Sequence, residues 1–427
     1  MLAAVAAAGG VLVVAGWWQG APASVGRGAV LMDAGRLTGL LAGYTAMVQV
    51  LLRARLGMVE RHLGTDRINA VHRLLGGYLI VLVLAHATLL TTGYARSVHT
   101  SVPEQIGALL TGFPYVAWAV VAAALLVGVG MSSAPAVRHR IRHEVWHATH
   151  LLVYVALVLA FFHQVTVGEH FVHHPALRWG WTAAWLAVAV TMVGSRWLRP
   201  VWLALRHRLR ITAIRAETPR TVSIEVGGRR LDRLPAVAGQ YFRWRFLDRR
   251  RWYVAKPYSL SAEPDGRRLR ITATVDGRYS SLLPELRIGT RVIAEGPCGG
   301  LGGSGDWDGP VLLIAGGIGI TPLRALLASC PGAPILLVYR ARSAGEIAFR
   351  TELDEIADRR GARVQYLVGS RDEPGNRLSA ARLAELCPWV RHAQIYVCGS
   401  AAFVRDVRLA LAALGARRIR SESFELA

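Results

Sequence analysis

Six apolar runs lie before residue 196, near 2–18, 34–52, 74–92, 109–131, 147–166 and 179–195, each dominated by Ala, Leu and Val. Crossing the apolar core of a bilayer takes about 20 helical residues, and backbone polar groups inside it must be satisfied within the segment itself. The runs therefore predict a six-helix transmembrane bundle. Beyond them the chain reads as an ordinary soluble protein. The first run is short and is followed by Ala21-Pro22-Ala23, which has the form of a signal-peptidase site. No basic stretch precedes it, so a retained helix is expected, and either reading leaves residue 25 outside.

The connections alternate in charge. Arg53, Arg55, Arg61, Arg67 and Arg73 fall in one, Arg138, Arg140 and Arg142 in another, and Arg196, Arg199, Arg206, Arg208 and Arg210 follow the sixth run; the remaining loops carry one Arg each. By the positive-inside rule the arginine-rich side is cytoplasmic, and the C-terminal half with it. A multi-pass protein of the plasma membrane is expected, with the lipid bilayer as its surroundings. The formal charge of +22 is scattered or placed beside apolar runs rather than gathered in a tail, so no nucleic-acid partner is implied. The basic residues are almost all Arg, with Lys256 the sole lysine. Cys298, Cys330, Cys387 and Cys398 show no CxxC spacing, which argues against zinc or iron–sulfur ligation and against a disulfide framework.

Histidine at membrane depth is costly and needs a reason. The third run has His72 at its cytoplasmic entry and His86 further in; the fifth has His150 and His163, with His147 one turn before His150. A bis-imidazole haem takes one neutral nitrogen from each side of the macrocycle, so two facing helices with two histidines each can hold two haems. Separations of 14 and 13 residues correspond to roughly 20 Å along a helix. Fourteen residues return to nearly the same face, but thirteen land about 140° away, so a π-bulge, a kink or long-reaching rotamers are expected in the fifth run. One such histidine would read as helix packing; four at matched depths read as ligands.

The segment His72-Arg73-Leu74-Leu75-Gly76-Gly77-Tyr78 followed by His86, with Trp146-His147-Ala148-Thr149-His150 followed by His163, resembles the ferric reductase-like transmembrane domain shared by ferric reductases and NADPH oxidases. The resemblance implies that His72 and His150 hold an inner b-type haem and His86 and His163 an outer one. His147 is then a packing residue or a propionate partner, and Arg73 a second propionate candidate.

From about 207 the pattern changes to short alternating runs such as 210–214 and 221–226, which predict an antiparallel β-barrel. Lys256-Pro257-Tyr258-Ser259-Leu260-Ser261 is followed by Gly277-Arg278-Tyr279-Ser280-Ser281-Leu282. An aromatic followed by a hydroxyl can stack on an isoalloxazine and bond its N5 edge, and a Gly/Ser turn opening a helix can bind a pyrophosphate. Residues 311–326 give a buried strand, a Gly-rich turn from Gly316 and a helix beginning with Pro322. Strands at 335–339, 364–368 and 395–399 continue a parallel α/β sheet.

In this order the motifs resemble the ferredoxin-reductase superfamily. That resemblance implies FAD bound by Lys256, Pro257, Tyr258, Ser259, Gly277, Tyr279, Ser280 and Ser281. It further implies a nicotinamide dinucleotide cradled by Gly316, Gly317, Gly319, Thr321 and Pro322, with Cys398 and Gly399 beside the hydride path. Phe424 would cover the flavin. The superfamily usually has Arg where this chain has Lys256, which turns a bidentate phosphate contact into a point-charge contact. Arg342, Ser370 and Arg371 are the candidates for a 2′-phosphate and favour NADPH. Cys398, Phe424 and Ser259 are the expected catalytic residues. The expected organisation is a transmembrane di-haem domain over 1–200, an FAD-binding β-barrel over 207–305 and an NADPH-binding α/β domain over 308–427.

The whole order reads as a wire from cytosolic NADPH through FAD and two haems to an outside acceptor. That acceptor is oxygen, giving superoxide; a ferric or cupric chelate, or a partner protein fed by this chain, remains as an alternative. His170, His173 and His174 could attract a metal, but read better as a polar outer loop. Neither an EF-hand loop nor a Pro-rich SH3 ligand is found, so no obligatory protein activator is expected.

Overall fold

The computed structural model describes residues 9–424 apart from 12, 16, 18–25, 27, 55, 58, 60–62, 250–251, 277–278, 303–306, 308, 331–333, 371–372 and 374–375. The chain divides into two compact units, 1–54 with 69–194, and 55–68 with 195–427.

The first unit is helical: α1 Ala29–Arg53, α2 Thr65–Ser97, α3 Val102–Gly112, α4 Val116–Ser133, α5 His143–Val167 and α6 Pro175–Val193. The stretches Arg67–Ser97, Val116–Ser133, Val145–Val167 and Pro175–His207 are long and apolar enough to cross a membrane. Leu74, Val81, Leu84, Val120, Val158, Leu186 and Val190 are exposed along them. A surface so apolar suits lipid and not water. Among the described residues four of the six expected spans therefore appear as long apolar helices. The run expected at 2–18 lies mostly outside the described residues, and α1 falls outside the four apolar stretches.

The run expected at 109–131 is broken. Its first residues close α3, and Phe113 is extended (φ −123°, ψ 130°) before α4 begins. Pro114 explains this, since proline disfavours helical backbone at the residue before it. A capping box at Ser101 and Glu104 starts α3. The bulge allowed for in the fifth run is also absent: α5 is α-helical from end to end. A π turn occurs instead at Gly194–Leu198, where α6 leads into α7, Arg199–His207. Pro200, which has no N–H to donate, follows this π turn within one continuous helical stretch, where a proline removes a helical hydrogen bond.

The second unit holds six antiparallel strands, β1 Arg210–Thr218, β2 Thr221–Gly227, β3 Tyr241–Phe246, β4 Lys256–Ser259, β5 Arg268–Thr274 and β6 Val292–Cys298. They form two three-stranded sheets, β1-β2-β5 and β4-β3-β6, rather than one continuous sheet. Single bridges, Leu260 to Ile271 and Arg210 to Arg291, link them. Along β3 burial alternates, with Phe242, Trp244 and Phe246 in the core and Tyr241, Arg243 and Arg245 turned outward.

Five parallel strands follow: β7 Val311–Gly316, β8 Ile335–Ala341, β9 Arg363–Val368, β10 Gln394–Ser400 and β11 Ile419–Phe424, in the order β11-β10-β7-β8-β9. Helices α8 Ile320–Ser329, α9 Arg350–Arg360, α10 Ala380–Leu386 and α11 Ala401–Ala413 complete the α/β layers. Val311, Leu313 and Ala315 pack into one core with Leu323 and Ile356, while Leu312 and Ile314 pack into another with Leu383 and Val404. Burial on both faces is why these strands read as continuous apolar runs.

An ion-pair clamp joins the antiparallel and parallel parts of this unit. Arg270 on β5 donates two hydrogen bonds to Glu352 on α9, at 2.7 and 2.8 Å, and Arg324 on α8 donates a third at 2.9 Å. Ser261 accepts two more from Arg270. Burial would raise the Glu352 pKa, but the bonds and charges of Arg270 and Arg324 outweigh it and hold the carboxyl below its usual value. The stabilisation is therefore complete above the ordinary value of 4.5 and lost as pH falls through the lowered folded one. Glu352→Gln should cost about 1–2 kcal/mol at pH 7. The gap between wild type and variant in urea unfolding should close on acidification, and a gap still present at about pH 2 would contradict the linkage.

Candidate functional site

A cleft lies at the C-terminal ends of the parallel strands, where order reverses between β7 and β10, the usual ligand crevice of such sheets. Its volume is about 1380 Å³, and Gly316, Gly317, Arg342, Ser370, Gly399 and Phe424 line it, six of the residues singled out from sequence. Gly317 has φ +54°. At Gly319 a Cβ would lie 2.2 Å from the Cys398 carbonyl oxygen, so only glycine lets the turn pass so close to β10.

Helix α8 begins at Ile320, two residues before Pro322. Gly319, Thr321 and Pro322 are buried behind the cleft wall and do not line it. Cys398 is likewise fully buried, one residue behind Gly399. Burial drives its thiol pKa well up, and the Glu422 charge adds to this, so the group stays protonated. Arg371 and Gly277 lie outside the described residues. Sequence reading missed Arg340 and Arg377, which line the cleft with Arg342. No motif marks them; the ends of neighbouring parallel strands and their loops bring them together.

The two flavin motifs converge. Lys256 and Ser259 bound β4, which pairs with β3 so that Tyr241 faces Ser259 and Phe242 faces Tyr258. The Trp244 indole donates to the Tyr258 carbonyl at 3.0 Å. Lys256 Nζ sits 5.6 Å from the centre of the Tyr279 ring. Ser280 and Ser281 open a six-residue 3-10 helix in place of an α-helix. Pro257 is exposed. The Ser259 hydroxyl is buried with no hydrogen-bond partner among the described residues. Such a group costs about 1–3 kcal/mol unless something bonds it, which fits a flavin edge.

In the helical unit the four histidines fall into two pairs. The ring centres of His72 and His150 are 6.3 Å apart and those of His86 and His163 are 6.2 Å apart, with interplanar angles of 61° and 64°. A metal–imidazole bond of about 2 Å, with about 1.1 Å from nitrogen to ring centre, puts two imidazoles on opposite sides of one metal about 6.2 Å apart. The donor set therefore fits a bis-imidazole iron at both levels. Because α5 is unbroken, side-chain reach covers the offset of its thirteen-residue spacing. His86 Nδ1 donates to the Gly35 carbonyl at 2.8 Å, and His150 Nδ1 lies 3.5 Å from Ser133 Oγ. The outer-loop group does not assemble: His173 bonds the Glu169 carbonyl, and His170 is buried near the Trp17 carbonyl. No cluster of three or more metal-binding side chains is found among the described residues.

Residues 38–161 match the family described as ferric reductase like transmembrane component, and residues 313–409 match the oxidoreductase NAD-binding domain. The chain thus carries a segment similar to a ferric reductase like transmembrane component, followed by one similar to an oxidoreductase NAD-binding domain. It is 31% identical over 233 residues to a flavohemoprotein of Pseudomonas aeruginosa, covering 50% of this chain and 57% of that one. It is 30% identical over 210 residues to the ferredoxin reductase component of a 3-ketosteroid-9-alpha-monooxygenase of Mycobacterium tuberculosis, covering 47% and 57%. The chain thus spans about half the length of the curated relatives it matches. Among solved structures, the flavohem-like FAD/NAD-binding domain of a Vibrio cholerae nitric oxide dioxygenase aligns with a TM-score of 0.41 at 24% identity, over 51% of this chain and 98% of that one.

Among the described glycines of the second unit, the closest approach is at the turn between β7 and α8. Gly319→Ala should destabilise this unit by about 1–3 kcal/mol, the usual cost of overpacking, and raise KM for NAD(P)H. Thermal unfolding and steady-state kinetics of the full chain test this; wild-type values for both would show that the turn tolerates a Cβ.

Proposed function

We propose that the chain is a transmembrane oxidoreductase carrying electrons from cytosolic NADPH through FAD and two b-type haems to an acceptor on the outer side, with oxygen, reduced to superoxide, as that acceptor. The observation that carries this reading is the ligating separation of two imidazole pairs on α2 and α5, in a chain that also bears a reductase-type module. In this reading the protein lies in the plasma membrane with its C-terminal half in the cytoplasm, following the arginine-rich loops.

His72 and His150 would hold the inner haem, His86 and His163 the outer one. Lys256, Tyr258, Ser259, Tyr279, Ser280 and Ser281 would hold FAD, and Gly316, Gly317, Gly399 and Phe424 the nicotinamide dinucleotide. Arg340, Arg342 and Arg377, gathered on one cleft, favour a 2′-phosphate and hence NADPH. When bound, flavin would supply the switch from hydride to single electrons, and the two haems held by these histidines would supply the conducting path through the apolar layer. The protein positions these groups, keeps water out and supplies neutral imidazoles; Phe424 at the end of β11 would shield the hydride path. No general acid or base is needed.

Reduction of a ferric chelate is a second reading, favoured by the description of the family matched over 38–161. Donation to a separate protein is a third, favoured by the ferredoxin reductase component among the relatives. Purified full-length protein supplied with haem and FAD should show a Soret band and two haems per chain. Alanine at His86 and His163 together should remove one haem and abolish transfer to the outer acceptor, at least 100-fold, while NADPH-driven reduction of a soluble dye persists. Superoxide dismutase-sensitive cytochrome c reduction would support oxygen as acceptor. Turnover only with ferric chelate would support the second reading, and turnover with neither the third.

A further inference from the structure

We propose that Gly35 and Gly39 of α1 are positioning residues for His86, fixing which of its ring nitrogens is free to bind the outer haem iron. The inference rests on the bis-imidazole reading above. It concerns a helix that contributes no ligand.

Residues 35 and 39 are four apart and share one helical face, and α2 packs on that face without room for a side chain. A Cβ at Gly39 would lie 2.5 Å from His86 Nδ1 and 2.7 Å from its Cε1, and one at Gly35 would lie 2.9 Å from Leu90 Cγ. Such separations fall well inside van der Waals contact, so only glycine at both positions allows the imidazole to rest against the α1 backbone. Placed there, His86 Nδ1 donates its proton to the Gly35 carbonyl at 2.8 Å. The Thr38 hydroxyl also reaches this carbonyl, at 2.8 Å, but lies 3.0 Å from the Ala34 carbonyl as well, so with its one proton turned to Ala34 it leaves the two lone pairs of the Gly35 oxygen to His86 and to the helical bond.

The consequence is chemical. With Nδ1 carrying the proton, Nε2 is the unprotonated nitrogen, and in a neutral imidazole only that nitrogen can bind a metal. The same bond restrains ring rotation and raises ligand basicity, as a carbonyl behind a metal-bound histidine does. Among the described residues, none of the other three has so short a bond at Nδ1. The Nδ1 atoms of His72 and His163 have no hydrogen-bond partner among the described residues, and His150 Nδ1 is 3.5 Å from Ser133 Oγ. Of the outer pair, His86 alone is thus held from the α1 side, by a bond to backbone.

The test uses the full chain purified with haem, comparing wild type, Gly39→Val, Gly39→Ala and Gly180→Ala, the last adding a Cβ that meets nothing within 4 Å. Haem per chain, redox titration and low-spin EPR are read in each. The expectation is two haems in wild type and Gly180→Ala, and one in Gly39→Val, whose retained inner haem reports an intact bundle. Gly39→Ala should keep both haems but shift the potential and EPR signal of one component only. If Gly39→Val does not accumulate, the potentials of Gly39→Ala decide. Two haems with unaltered potentials in the Gly39 variants that can be prepared would overturn the proposal, whereas a wild type without haem would overturn the ligand reading beneath it.

Discussion

Two imidazole rings held about 6 Å apart inside an apolar layer are the contact on which the reading of the helical unit depends. Nitrogen atoms at that depth cannot be left to water, and a helix that carries them must offer them a partner. Carbonyls and hydroxyls from neighbouring helices meet some of this need, as Gly35 does for His86. The remaining capacity, on facing helices at two levels, is what a pair of porphyrin irons would take up. The glycines of α1 belong to the same logic, because a polar bond to backbone in a membrane requires the backbone to be reached.

The second unit solves a different problem. In the proposed reading a hydride donor and a flavin would meet with water excluded, and the two groups of candidate binding residues stand on separate sheets. The Arg270–Glu352–Arg324 clamp ties the antiparallel and parallel parts together through half-buried, charge-assisted bonds. Along the cleft, arginines at strand ends supply the positive charge, and the missing Cβ of Gly319 lets the first turn lie against β10.

Much of this was legible beforehand because periodicity and spacing are local. The parallel strands show as apolar runs because both of their faces are buried, and β3 shows as alternation because one of its faces is not. The four histidines stand out because charge-capable residues are rare in such runs. Other features were hidden. Pro114 breaks a run that hydropathy alone treats as continuous, since a window average is blind to the restriction on Phe113. Thr321 and Pro322 belong to the motif yet support the cleft from behind, because the helix starts earlier than its proline suggests.

What the sequence alone determined is the division into an apolar helical half and a mixed-sheet half, the histidine ladder, and the order of flavin and nucleotide motifs, all of which depend on neighbours in the chain. Tertiary structure decided which histidines face each other, which nitrogen of His86 carries its proton, and which arginines share the cleft. Those outcomes are distances between residues far apart in sequence, such as Gly35 and His86 or Arg270 and Glu352, and no local pattern encodes a distance that only packing sets.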